Sequence, residues 1–305
     1  MANGIIAELK DLIALQRYAQ TVRYHPEGYA LRVGNHRSKL RGRGMDFSEA
    51  RNYQAGDEIR HMEWRVTART GRPHVKVYQE ERERPVVILT DFNPSMYFGT
   101  HIAFKSVVAA NLSAVIAWTA AKQGDRVGGL LVSADSHNEC VPRSRQAGVL
   151  PFLAALSRYT QKHNACALPS FEGKSLSQAL IRLRRVAKPG SILVLVSDFY
   201  NLDDESEPHL SRLCNHNDVL AYQVSDPLEL APPKPAQYAI TDGQRSLQLD
   251  TSLDAVRFEY QFYCEQRMTA LNSRFKRLGI QYVNVTAETN LPMLVRQTFP
   301  WRPHG

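Results

Sequence analysis

Short apolar runs, each too brief for a helix, recur through the last two-thirds of the chain. They alternate with longer stretches in which apolar residues return every three or four positions. The first pattern is that of buried strands, the second that of helices with a covered face. Val86–Thr90 predicts a buried strand, and His101 to Lys122, with Phe104, Val107, Val108, Leu112, Val115, Ile116 and Trp118 in register, predicts a helix stopped by Gly124 and Asp125. Arg126–Ser133 predicts the next strand, with Glu139–Val141 as a hairpin partner. Helices are predicted over Gly148 to Tyr159 and Leu176 to Ala187, the latter closed by Lys188, Pro189 and Gly190. Ser191–Ser197 predicts a strand ending at Asp198, Pro208–Cys214 a short helix, and Asp218–Val224 a strand. Tyr238–Ile240 and Ser246–Leu249 flank a turn at 241–244 and predict a hairpin. Leu253–Leu278 predicts a long helix capped by Gly279, Ile280–Val285 the last strand, and Leu291–Val295 a short final helix. This order predicts a mostly parallel sheet covered on both faces, a three-layer α/β sandwich with right-handed crossovers.

The first 84 residues follow neither pattern for long. Met1 to Ala19 carries an apolar stripe (Ile5, Ile6, Leu9, Leu12, Ile13, Leu15) broken by Glu8, Lys10 and Asp11, which predicts an amphipathic helix opening near Asn3 rather than a secretion signal. From Arg32 to Arg84 opposite charges interleave, and Phe47, Tyr53, Trp64 and Tyr78 are spread among them. Aromatics at that density argue against a disordered tail. The segment reads as a loop-rich subdomain with short strands, His74–Tyr78 the clearest. The division expected is thus 1–84, an N-terminal helix with an Arg/Gly-rich subdomain, and 85–305, the α/β domain.

Composition removes several classes. No segment approaches the roughly 20 apolar residues a membrane helix requires. The four cysteines, Cys140, Cys166, Cys214 and Cys264, lack zinc-ligand spacing, which points to free thiols and a cytoplasmic setting. The formal net charge of +8 leaves nucleic-acid binding through the basic N-terminal segment as an alternative, although no aromatic-basic reader motif is present. Gly42 and Gly44 alternate with Arg41 and Arg43, but the Lys-Ser/Thr ending of a phosphate loop is missing. None of the ten histidines has catalytic or metal spacing.

Candidate chemistry collects where the strands end. Asp91 and Asp198 each follow a buried apolar strand, and in an open α/β sheet ligands bind beyond the carboxyl ends of strands. An acid there requires a metal, N–H groups or hydroxyls to satisfy it. With Asn93 and Ser95 beside Asp91, the four form a candidate oxygen-ligand site for a hard divalent ion. A phosphohydrolase using Asp91 as nucleophile is the enzyme alternative, but the acid two residues on is Asn93, which cannot transfer a proton. A dinucleotide fold lacks its glycine fingerprint.

The run Asp91-Phe-Asn93-Pro-Ser95 resembles the metal-ion-dependent adhesion site of von Willebrand factor A domains. A longer signature resembles the domain-of-unknown-function family 58. It comprises Gly42, Gly44 and Phe47, then Arg51, Tyr53, Gly56, Asp57, Arg60, Trp64 and Arg69, then Lys76, Tyr78 and Glu80, with Gly124–Gly128 and Ser197–Phe199 further on. The resemblance covers about residues 30–225 and implies a von Willebrand factor A-like core. Two departures stand out. Asn93 replaces the first Ser of the adhesion site, and Lys174 holds the place of the Thr that completes it, with Ser175 one residue beyond. Mg2+ on Asp91, Asn93, Ser95, Ser175 and Asp198 and a metal-free centre with Lys174 paired to Asp91 are therefore both open. In the signature, Arg60, Trp64 and Arg69 beside Asp57, Glu63 and Glu80 read as a partly buried ionic network holding the subdomain to the sheet. The family implies partnership with a MoxR-type AAA+ ATPase, so the expected function is a non-catalytic adaptor in chaperone-like assembly or metal and cofactor insertion, its client unspecified.

Overall fold

The computed structural model describes residues 4–21, 45–54, 56–80, 84–161, 176–241 and 246–300. In chain order the elements are α1 (Leu9–Ala14), α2 (Gln16–Thr21), β1 (Met45–Asn52), α3 (Trp64–Thr70), β2 (His74–Glu80), β3 (Pro85–Asp91), α4 (Lys105–Lys122), β4 (Arg126–Val132), β5 (His137–Ser144) and α5 (Gln146–Gln161). There follow α6 (Leu176–Val186), β6 (Ile192–Ser197), α7 (Ser206–Cys214), β7 (Asp218–Val224), β8 (Gln237–Thr241), β9 (Ser246–Asp250), α8 (Asp254–Arg277), β10 (Gln281–Val285) and α9 (Leu291–Thr298).

Six strands form one sheet in the order β10-β7-β6-β3-β4-β5, parallel except for β5, which runs antiparallel to β4 at the edge. The central strands alternate between two cores. Val86 and Ile88 of β3 and Ile192, Val194 and Val196 of β6 face one side with α4, α5 and α9. Val87, Leu89, Leu193 and Leu195 face the other with α6, α7 and the C-terminal half of α8. A strand covered on both faces needs no polar side, which is why these runs read as continuously apolar. The architecture is the expected three-layer α/β sandwich.

Helix α4 is buried along nearly its whole length, and a helix apolar all round must be covered on its outer side as well. Helices α1 and α2 supply part of that cover: Leu12 and Ala19 are buried in the same core, and the Trp118 indole N–H donates to the Leu12 carbonyl at 3.1 Å. The expected single N-terminal helix is two short ones, and they pack within the sheet unit. By its internal contacts the chain divides into two compact units: one holds α1, α2 and the described residues from Arg84 to Pro300, and the other holds β1, α3 and β2.

In that second unit β1 and β2 pair antiparallel with a bulge between Phe47 and Glu49. Helix α3 is capped by Glu63, whose carboxylate accepts from the Arg65 N–H, and ends at Gly71 in the left-handed conformation. In the sheet unit β8 and β9 form the predicted hairpin. No helix among the described residues is long and apolar enough to cross a membrane. Cys140, Cys214 and Cys264 are free thiols, and Cys166 lies outside the described residues.

Candidate functional site

Strand β3 stands between β4, which follows it in sequence, and β6, which is reached only after the chain has returned to the other side. The crevice at such a reversal is where open α/β sheets bind ligands. Asp91 closes β3 and Asp198 follows β6 directly, so the two acids share that crevice. Both are buried, Asp91 at 1% exposure and Asp198 at 0%.

Each carboxylate is held by protein donors. Asp91 Oδ1 accepts from the Asn93 backbone N–H at 2.9 Å, and its Oδ2 accepts from the Ser197 hydroxyl at 2.7 Å. The Ser197 oxygen in turn accepts from the Phe199 N–H, and Asp198 Oδ1 from the Tyr200 N–H. These bonds fold the chain tightly after β6, with Phe199 at a φ of 57°. Burial, and next the charge of Asp198, push the Asp91 carboxyl up to about 7, against the opposing effect of its two hydrogen bonds and of Lys105.

Among the described residues, the cation that pairs with these acids is Lys105, the first residue of α4. Its ammonium donates to Asp198 Oδ2 at 2.8 Å and to Glu229 Oε1 at 2.5 Å, with the side chain 3% exposed. It also lies 5.3 Å from the centre of the Tyr200 ring. The Arg267 guanidinium, from α8, stacks on the same ring at 3.6 Å and donates to the Asp198 carbonyl at 2.7 Å. Glu229 belongs to a capped turn after β7: the Asp226 N–H donates to Glu229 Oε2, and Asp226 accepts from the Leu228 N–H. Asp226 also takes the Thr100 N–H and hydroxyl from the loop that leads from β3 to α4. Burial raises the Glu229 carboxyl, and Lys105 opposes that.

Sequence reasoning identified Asp91, Asn93, Ser95 and Asp198 but missed Lys105, Glu229, Tyr200 and Arg267. A signal for Lys105 existed: it is a lone cation heading a helix whose following residues are all apolar or small up to Lys122, save Asn111. Asn93 is buried at 2% and borders a small cleft of about 40 Å³ lined also by Ser133, Ser136, His137, Gln178 and Arg182. Ser95 has a buried hydroxyl with no hydrogen-bond partner. Lys174 and Ser175, expected near this centre, lie outside the described residues, as do Gly42 and Gly44.

The donors found among the described residues leave few free oxygens for a divalent ion, which takes six or more from carboxylates, carbonyls and water. Both Asp91 oxygens and both Asp198 oxygens already receive protein hydrogen bonds, one of them from an ammonium. Among the described residues no three His, Cys, Asp or Glu side chains are grouped so as to hold an ion.

The expected ionic network of the 45–80 unit is rearranged. Asp57 pairs bidentately with Arg51, at 2.8 and 2.6 Å, and also accepts from the Gln54 N–H. Glu63 pairs with Lys76 at 2.9 Å. Arg60 is exposed and reaches Glu58 only at 3.8 Å, Arg69 is exposed, and Trp64 is 65% exposed. These contacts are local to the unit and lie largely at its surface. Gly56, at a φ of 108°, makes the turn before Asp57, and the Tyr53 N–H donates to the Pro73 carbonyl. Glu80 closes β2, paired across to Met45.

A six-stranded sheet in this order, with an acid centre at its reversal point, defines a von Willebrand factor A-like α/β protein. The chain belongs to the family described as "Protein of unknown function DUF58", which matches residues 49–269. Uncharacterized proteins of Mycobacterium bovis and Mycobacterium tuberculosis are each 28% identical over 254 residues, spanning 83% of this chain and 77% of the relative. Among solved structures, the conserved hypothetical protein BatB from Bacteroides thetaiotaomicron aligns at a TM-score of 0.42 and 14% identity, over 70% of this chain and 96% of that one. A von Willebrand factor type A protein from Catenulispora acidiphila aligns at 0.33 and 13%, over 49% and 35%.

Proposed function

We propose that this protein is a non-catalytic adaptor that docks a partner on the strand-end face of its sheet, the partner being an AAA+ ATPase of the MoxR type. The observation that supports this reading is the state of the acid centre. Asp91, the residue a phosphohydrolase would use as nucleophile, is buried at 1% and holds hydrogen bonds at both oxygens. A nucleophile must reach its substrate, and this one has no free approach. On the loops that leave β3 and β6 the exposed side chains include large apolar and aromatic groups beside the polar Thr100 and His101. Phe98 (42%) and Ile102 (60%) lie on the loop leaving β3, and Tyr200 (42%) on the loop leaving β6. Exposed apolar groups around a rigid polar centre suit a protein contact.

The test is co-purification of the full chain with the AAA+ ATPase encoded nearest to it, in ADP and in a non-hydrolysable ATP analogue. A retained complex is expected, with Phe98→Asp and Ile102→Asp weakening it about tenfold or more, or about 1.4 kcal/mol. No complex in either nucleotide state sinks the adaptor reading.

A further inference from the structure

The acids at the ends of β3 and β6 stand where an A-like fold takes a divalent ion, yet the charge opposite them comes from the chain itself. We propose that Lys105 is a built-in cation that replaces a divalent ion at this strand-end site and holds the face in one arrangement without metal. The inference concerns the centre alone and stands whether or not an ATPase docks.

The burial of Lys105 is the first support. Lysine is almost never fully buried unless paired, and this one is 2% exposed with two carboxylates at its ammonium. Its donor count is the second. An ammonium has three N–H groups. Two are taken by Asp198 and Glu229, and the positive group also faces the Tyr200 ring. The third support is what the ammonium joins. Through Asp198 it holds the end of β6, and through Glu229 the turn after β7. Asp226 in that turn then holds Thr100 in the loop after β3. Strand ends that a bridging ion would gather are gathered by one side chain and a capped turn. A second cation placed beside Asp198 would meet the ammonium at short range and be repelled.

Mn2+ is the probe, read by paramagnetic resonance and by thermal melts in Mn2+ or EDTA, on the full chain. For the wild type, the free-ion signal is expected to keep its full amplitude up to millimolar Mn2+, and Tm to be equal in the two buffers. Lys105→Ala strands buried carboxylates and is expected to melt about 10 °C lower in EDTA. It should regain a large part of that loss in Mn2+, with about one ion bound. Lys105→Met keeps the volume of the side chain and is read in the same way. Stoichiometric Mn2+ on the wild type, lost in Asp91→Asn, overturns the proposal. So does a folded Lys105 variant that binds no Mn2+ and melts alike in both buffers. If neither variant folds, the wild-type titration decides alone.

Discussion

At Asp91 the carboxyl is held up to about 7, first by burial and then by the neighbouring charge of Asp198. The folded chain therefore keeps a proton there that the unfolded chain releases near pH 4. Stability contributed by the protonated form is complete below about pH 4 and is lost as pH rises through about 7. Asp91→Asn cannot ionise. Urea melts from pH 4 to 9 should show the two proteins alike at the acid end and the variant more stable at pH 8, by on the order of 3 kcal/mol. A variant whose stability follows the wild-type pH curve contradicts this. Ser197 is the second test at this scale. Its hydroxyl both donates to Asp91 and accepts from the Phe199 N–H. Ser197→Ala strands both buried partners, and a loss of about 2 kcal/mol in the same assay is expected.

Among the elements, β4 shows how closely strand and helix can approach. A Cβ on Gly129 would lie 2.2 Å from the Phe152 ring of α5, which is fully buried. Gly129→Ala is expected to lower stability by about 1–3 kcal/mol, measured by chemical denaturation. Phe152→Leu in that background should recover part of the loss. The start of α4 illustrates a boundary that periodicity misplaces. The apolar spacing runs back to His101, but the helix begins at Lys105. No side chain caps it. Instead the Phe104 N–H donates to the Gly4 carbonyl and the Lys105 N–H to the Phe98 carbonyl, so the preceding loop is held by one backbone bond to a distant segment and one within itself. Helix starts leave N–H groups to be satisfied, and here the loop before the helix and the Gly4 carbonyl satisfy two backbone N–H groups at its start.

Across the whole sheet unit, the end opposite the acid centre has its own tie. The Arg84 guanidinium donates to the Gly190 carbonyl at 3.1 Å and pairs with Asp218 at 2.5 Å, while its backbone N–H donates to Asp125. One residue thus connects the amino ends of β3, β4, β6 and β7. Both side chains are partly exposed, at 33% and 58%, so the pair is screened by solvent and salt. Arg84→Ala is expected to lower Tm by about 2–4 °C, roughly 1 kcal/mol, with the difference shrinking in 1 M NaCl. An unchanged Tm at low salt means the tie contributes nothing measurable. Differential scanning calorimetry makes the comparison.

The order of strands and helices was legible from the apolar pattern, because a strand buried on both faces must be apolar throughout and a covered helix must repeat at its own period. The positions of Asp91 and Asp198 at strand ends followed from the same runs. What pairs with them did not follow. Lys105, Glu229 and Arg267 reach the centre from three separate elements, and no local spacing relates them. The placing of α1 and α2 on the sheet unit was likewise settled by packing, and the pairing of Asp57 with Arg51 by the local turn that brings them together. Periodicity reports which face of an element is covered. Only the folded chain brings distant charges to one point, and that decided that the centre carries its own cation.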